Sequence, residues 1–332
     1  MSTPPALQVS GLKAYYQTNL FGVQRDVHAV DDVTLTIARN EIYGIAGESS
    51  SGKTSLIKTL AGAIRPPMRV VSGSVVYDFG GRAIDVYNGG LAALQAARWK
   101  HLSYIMQGSM SVLNPMRRIR ESFRDFAFRH MAQSRREFRI LVERHLSLLH
   151  LDPAILHSYP HELSGGMRQR VTIALATVCE PEFIIADEPT TALDVIVQKD
   201  VLALFQAVQR RIGSSVVFVT HDMSVHAAIA DRVGIVYAGR LVEEGPTAAV
   251  FAAPRHPYTA HLIGSMPRIG DVSRKPSLPG APPSLASPPS GCRFHPRCPL
   301  AIERCTLEAP ALRADMPGRR TACFRADEVR PL

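Results

Sequence analysis

Gly47, Gly52, Lys53 and Thr54 sit in "GESSSGKTSL" directly after the apolar run "EIYGIA", and they fit the pattern G-x-x-x-x-G-K-[ST]. Such a loop curls its backbone N–H groups around the phosphates of a nucleotide. Gly47 and Gly52 supply backbone angles that let Glu48, Ser49, Ser50 and Ser51 converge on one anion, while Ser55 opens a helix whose positive end faces it. Lys53 would then meet the β- and γ-phosphate oxygens, and the Thr54 hydroxyl would ligate Mg²⁺. Ser50 and Ser51 are the positions where a further glycine is common in such loops, so this one should be slightly stiffer.

Two more stretches carry chemistry. "FIIADEP" is an apolar strand ending in Asp187 and Glu188; the first acid suits the Mg²⁺ role of phosphate-loop enzymes, and the second could polarise an attacking water. "LSGGMRQR" places Ser164, Gly165 and Gly166 before the helical pattern "MRQRVTIALATV", a second helix start able to face an anion. One chain thus holds two phosphate-facing ends and a single phosphate loop. A dimer resolves this, each nucleotide being clamped between the loop of one subunit and the "LSGG" of the other.

The elements that must position these residues read as a mainly parallel α/β core, because strand-like runs alternate with amphipathic helices. "LQVSGLKAYY", "AVDDVTLTI" and "GSVVYDF" read as an antiparallel piece beside it, and "FIIADE", "SVVFVT" and "RVGIVYAG" as core strands. Between them "SRREFRILVERHLSLLH" puts Phe138, Leu141, Val142, Leu146 and Leu149 on one helical face, with Arg135, Arg136, Arg139 and Arg144 elsewhere. At 332 residues and 46 % hydrophobic content the chain holds one large domain plus an appendage. There is no run of 18 uncharged apolar residues, and "MSTPPALQVS" lacks the regions of a signal peptide, so a cytoplasmic protein, held on a membrane only by partners, is expected. A net charge of +9 favours an anionic neighbour without choosing one.

"KPSLPGAPPSLASPPSG", residues 275 to 291, reads as a Pro/Ser-rich linker that packs no core. Beyond it Cys292, Cys298, Cys305 and Cys323 have spacings of five, six and seventeen residues, which match no common zinc-finger pattern. A cytoplasmic location disfavours disulfides. Four thiolates can complete a Zn²⁺ tetrahedron or a [4Fe-4S] cluster, and spacing does not separate the two. Cys179, alone in an apolar helix, reads as an inert core residue.

With these motifs in order, residues 5 to about 250 resemble the ATP-binding cassette family. "GESSSGKT" is similar to its Walker A loop, "LSGGM" to its signature motif, "FIIADE" to its Walker B strand and "TALD" to the loop ending at Asp194. Gln107 in "HLSYIMQ" resembles the glutamine loop and His221 in "VFVTHD" the switch histidine. The resemblance implies catalytic roles for Glu188, His221, Gln107 and Asp194, Mg²⁺ held by Thr54, Gln107 and Asp187, and a helical subdomain at about 108 to 165. It makes Tyr16 the ring that stacks on adenine, or Tyr15 if the strand register slips by one. Two departures are Met167, where the family usually has Gln, and Gly108, where a polar residue is more usual.

The end of the chain, residues 251 to 332, resembles the C-terminal extension of oligopeptide and dipeptide importer ATPases, through "HPYTAHLIGSMP", "GCRFHPRCPLAIERC" and Cys323. That implies a [4Fe-4S] cluster on the four cysteines, with Zn²⁺ the alternative. It also implies a P-loop α/β fold with antiparallel β and helical subdomains, and a peripheral ATPase on the cytoplasmic face of the inner membrane. Its partners would be a second ATPase subunit (the same chain or a sister), two permeases and a solute-binding protein, with motion passed on through "GSMSVLNP". Nickel or oligosaccharide import is the alternative cargo. A nucleic-acid ATPase is the rival class, disfavoured because only about 110 residues without sustained heptads separate the loop from the signature and there is one cassette.

Overall fold

The computed structural model describes residues 4–20, 22–108, 112–191, 193–266 and 278–331. Ala192 of "TALD", residues 109–111 of "GSMSVLNP" and residues 275–277 of the Pro/Ser-rich stretch lie outside them. The chain packs as two compact units assembled from separated stretches. One takes Met1–Ala6, Ile37–Glu41 and Tyr77–Phe218; the other takes Leu7–Thr36, Ile42–Val76 and Val219–Leu332.

The unit that carries the phosphate loop contains two sets of strands. In one, Leu7–Leu20 lies between Val23–Ile37 and Met68–Phe79. In the other the order is Arg313–Met316, Arg319–Thr321, Arg240–Pro246, Arg232–Tyr237, Ile42–Ala46. Ile42–Ala46 runs parallel to Arg232–Tyr237, with Ile45 opposite Gly234, and the remaining pairings are antiparallel. All five residues of Ile42–Ala46 are buried, as expected for a strand covered on both faces. The C-terminal hairpin and the strand Arg240–Pro246 were not foreseen, because neither forms an apolar run.

A cluster of rings lies in the core of this unit. Tyr237, Tyr258 and Phe294 are fully buried, with centroids 4.6, 5.1 and 5.5 Å apart pairwise. Leu278 and Leu285 pack against the same cluster, and the His28 N–H donates to the Leu285 carbonyl at 2.9 Å. The stretch expected to be a coreless linker is therefore docked where it is described: it has no regular structure, but its two leucines find apolar partners. Glu243, with no exposed surface, fixes the C-terminal hairpin. It accepts from Arg319 Nη2 at 2.6 Å and from the backbone N–H groups of Arg255 and His256 at 2.9 Å.

The other unit holds parallel strands Leu102–Ile105 and Phe183–Asp187, the latter flanked on its other side by Ser215–Val219. Its helices include Ile119–Phe126, Arg135–Leu148, Gly165–Thr177 and Val195–Ile212. Arg135–Leu148 begins where Ser134 accepts from the Glu137 N–H and the Glu137 carboxylate accepts from the Ser134 N–H, a reciprocal cap. Phe138, Val142, Leu146 and Leu149 are buried as the periodicity predicts, and Leu141, on the same expected face, is half-buried. His145 is buried with them, its Nε2 2.7 Å from Thr177 Oγ1.

Burial keeps three histidines neutral. Desolvation first, then the nearby Arg211 charge, takes His145 down to about 4. Desolvation likewise takes His226 to about 4 and His256 to about 3. Below the ordinary value near 6.5 the unfolded chain binds protons at these sites that the folded chain refuses, so stability falls as pH drops from about 6.5 toward 4. The urea midpoint is expected to decrease between pH 7 and pH 5, and less steeply in His145→Gln. A midpoint independent of pH over this range would contradict buried, neutral histidines.

Candidate functional site

The phosphate loop leaves the end of the strand Ile42–Ala46 and enters the helix Lys53–Leu60. Gly47 has φ 151° and a Cβ there would lie 2.2 Å from the Val236 carbonyl oxygen; Gly52 has φ 102° and its Cβ would lie 2.1 Å from that of Ala29. Neither position admits a side chain. Ser50 adopts φ 65°, the left-handed region that favours glycine. The stiffening expected of the two serines thus comes at Ser50 with a local conformational cost. Ser51 is buried; its N–H donates to the Glu48 carbonyl at 3.3 Å and its carbonyl accepts from the Gly239 N–H at 2.8 Å.

Lys53 is buried, and its Nζ donates to the carbonyls of Gly47 and Glu48, both at 2.7 Å. The ammonium therefore sits inside the curl of the loop, where a phosphate would meet it. Tyr16 places its hydroxyl 3.1 Å from Ser55 Oγ, beside the start of the loop's helix. Tyr15 is taken up elsewhere: its ring stacks on His28 at 4.2 Å and its hydroxyl donates to Asp31 at 2.6 Å. Ser49 and Thr54 lie on the loop and its first helical turn. His221 is exposed, one residue before Asp222, which caps the helix Met223–Ile229 through the Ser224 N–H at 2.8 Å.

Glu48 departs from the sequence expectation. Its N–H donates to the Tyr258 hydroxyl oxygen at 2.7 Å, and its carboxylate pairs with Arg297. In this arrangement neither group is aimed at a phosphate, because both are committed to residues of the C-terminal stretch.

In the other unit the strand Phe183–Asp187 delivers the two acids. Asp187 is 1 % exposed and lies 3.5 Å from the Tyr104 hydroxyl, whose pKa is raised by burial and then by the Asp187 charge. Glu188 follows at φ 47°, and its Oε2 accepts from Gln107 Nε2 at 3.2 Å and from Thr191 Oγ1 at 3.0 Å. Gln107 and Glu188, 81 residues apart, are thus joined directly. Ser164 caps the helix Gly165–Thr177, accepting from the Met167 N–H at 3.3 Å, with Gly165 and Gly166 in the first turn. A Cβ on Gly166 would come within 2.7 Å of Val197. Asp194 caps the helix Val195–Ile212, its Oδ1 accepting from the Val197 N–H at 3.0 Å, so its visible work is at a helix start.

All five cysteines are free thiols. Among the described residues no group of three or more His, Cys, Asp or Glu stands arranged to hold a metal ion. Cys292, Cys298, Cys305 and Cys323 do line one small cavity, with His256, Phe294 and Phe324 on its walls. Burial raises the thiol of Cys292, pushes Cys298 up to about 11 and Cys323 to about 12, with the neighbouring thiolates adding to each. Burial alone pushes Cys179 up to about 11, in keeping with an inert thiol. Sequence reasoning took the cysteines of the tail and passed over Tyr258, Arg293 and Arg297; the signal available was two arginines inside "CRFHPRC", a run that itself carries no acid.

Comparison with known proteins agrees with this geometry. Residues 30–191 match the family model of the ABC transporter, and residues 242–305 that of the oligopeptide/dipeptide transporter C-terminal region. The chain is 38 % identical to the dipeptide transport ATP-binding protein DppD of Caldanaerobacter subterraneus, covering 98 % of each chain. It is 39 % identical to the oligopeptide transport ATP-binding protein OppD of Salmonella typhimurium, covering 97 % of this chain and 94 % of that one. The dimeric structure of a bacterial ABC transporter cassette superposes with a TM-score of 0.61 at 25 % identity, over 73 % of this chain and 98 % of that one. A loop that can hold a triphosphate, a paired acid and glutamine, and full-length likeness to such proteins together place this chain in the ABC transporter family, among its ATP-hydrolysing, ATP-binding proteins.

Proposed function

We propose that this chain is the ATPase subunit of a peptide importer, powering uptake of oligopeptides or dipeptides through membrane permeases. The observation that carries the reading is full-length likeness to DppD and OppD, including the C-terminal region beyond the cassette. Among the described residues no helix is long and apolar enough to cross a membrane, so passage of cargo falls to other subunits. The chain works on the cytoplasmic face of the membrane in pairs, head to tail, with a second copy or a sister ATPase. Val195 and Ile196, 80 % and 77 % exposed beside Asp194, support an apolar contact with that partner.

In this reading the loop from Gly47 to Ser55 binds ATP, Tyr16 stacks on adenine, and Thr54, Gln107 and Asp187 hold Mg²⁺. Glu188 acts on water, steadied by Gln107 and Thr191, and His221 meets the γ-phosphate. Ser164, Gly165 and Gly166 reach the partner's nucleotide, and Asp194 lies in the same interface. Residues 5–250 form the cassette, with the helical part at about 108–165, and residues 251–332 form the extension.

The four cysteines of the extension hold a [4Fe-4S] cluster. Four soft thiol donors line one cavity, the donor set that suits a thiophilic metal or an iron–sulfur cluster. When bound, the cluster cross-links segments too short to pack a core of their own. Its ligands would be Cys292, Cys298, Cys305 and Cys323.

Three outcomes are expected. Glu188→Gln keeps ATP binding and slows turnover by about 10² or more, the scale for one positioned catalytic group; near-normal turnover would remove Glu188 from that role. Lys53→Ala weakens nucleotide binding, and unchanged ATP affinity in equilibrium titration would count against the loop assignment. Anaerobically purified protein is expected to be brown, with iron and sulfide near four per chain, the stoichiometry of one such cluster. Stoichiometric zinc without sulfide would replace the cluster by a zinc site.

A further inference from the structure

The phosphate loop is held from behind by residues some 200 to 250 positions further along the chain. Arg297, 7 % exposed, directs Nη1 and Nη2 to the two carboxylate oxygens of Glu48 at 3.0 and 3.2 Å. Its Nε donates to the Pro279 carbonyl at 2.9 Å, and its guanidinium lies 5.9 Å from the centre of the Tyr237 ring. Tyr258, fully buried, accepts the Glu48 N–H. The Glu48 carbonyl in turn accepts from Lys53 Nζ and from the Ser51 N–H. Glu48 is thus gripped by its backbone N–H, its carbonyl and its side chain, and one of those grips is on the phosphate-binding lysine.

A second strut comes from the same turn. Arg293, also 7 % exposed, donates to the Ala238 carbonyl and pairs with Asp31. The adjoining Gly239 N–H donates to the Ser51 carbonyl, and the Asp31 N–H to the Gly239 carbonyl, both at 2.8 Å. The turn itself is ordered by the His295 N–H to Cys292 carbonyl bond at 2.9 Å and by the Cys292 N–H to Cys305 carbonyl bond at 2.8 Å.

We propose that Arg297 and Tyr258 are positioning residues for nucleotide binding: through Glu48 they hold the phosphate loop, and with it Lys53, in the shape that receives ATP. A forked, buried guanidinium–carboxylate pair fixes both direction and distance, which a single hydrogen bond does not. Neither residue needs to touch the nucleotide. A loop released at Glu48 would have more conformations to lose on binding, and the loss appears in affinity. The proposal rests on membership of the ATP-binding family and is independent of which metal the cysteines hold, so its failure would leave the ATPase reading standing.

The test uses the full chain, with a fluorescent ATP analogue for equilibrium binding and the assembled transporter for turnover. Arg297→Met is expected to raise the nucleotide Kd and the KM for ATP about tenfold, leaving kcat at saturating ATP within about threefold. Glu48→Gln, which keeps size and one acceptor, should shift Kd in the same direction by less, and the double variant should be no worse than Arg297→Met alone. Arg297→Lys should recover part of the loss, because an ammonium cannot make both prongs. Should Arg297→Met fail to fold, Glu48→Gln and Tyr258→Phe read the same contacts from the other side. A Kd within twofold of the unaltered chain in the folded variants, even with a lowered Tm, would overturn the proposal and leave the pair a stabilising contact only.

Discussion

At Gly47 and Gly52 a strand carbonyl oxygen stands where a side chain would have to go, and this constraint governs the nucleotide loop. At Gly47 the obstructing atom belongs to the strand Arg232–Tyr237, and at Gly52 to the strand Val23–Ile37. The loop between them therefore keeps its path past both strands only while neither position carries a side chain. This makes the loop a tertiary feature as much as a local one. Its backbone shape is set by what lies behind it, and Lys53, whose ammonium is surrounded by the loop's own carbonyls, inherits its position from that shape.

What lies behind the loop is charged. Asp31, Glu48 and Glu243 belong to the strands and loop of the nucleotide-binding part, and each faces an arginine of the C-terminal stretch: Arg293, Arg297 and Arg319. Asp31 and Glu243 are almost wholly buried, and a buried carboxylate left without its cation costs about 3–5 kcal/mol. Tyr15 and Arg240 share the load at Asp31, whereas Glu243 is paired with Arg319. The stretch beyond residue 250 is thus the electrical complement of the part before it. A cassette that carries these three acids needs this tail, or another source of positive charge in the same places.

The chemistry of the nucleotide was legible because it is written in short, contiguous patterns. A glycine-lysine loop, an acid pair after an apolar strand and a serine-glycine helix start each specify a local geometry, and each appears at its expected place on a strand end or helix start. The amphipathic face from Phe138 to Leu149 was legible for the same reason. What escaped were pairings across long separations: Glu48 with Arg297, Asp31 with Arg293, Glu243 with Arg319. Periodicity carries no information about partners more than 200 residues away or, for Glu243, 76 away. The proline-rich stretch was misjudged because composition describes a chain in isolation, whereas Leu278 and Leu285 find an apolar cluster already built by other segments.

Glu188 shows how the fold spends conformational strain where position matters. A non-glycine residue at φ 47° is disfavoured by about 1–2 kcal/mol relative to ordinary backbone. Glycine would relieve that but would bring no carboxylate. The strand before Glu188 is buried along its whole length, so the chain cannot shift to relax the angle, and the carboxylate is caught on its far side by Gln107 and Thr191. Strain held by a rigid strand on one side and by two hydrogen bonds on the other restricts the carboxylate to a small volume. That is the property needed of a group that must meet a water molecule in one orientation, and it follows from the backbone before any catalytic role is assigned.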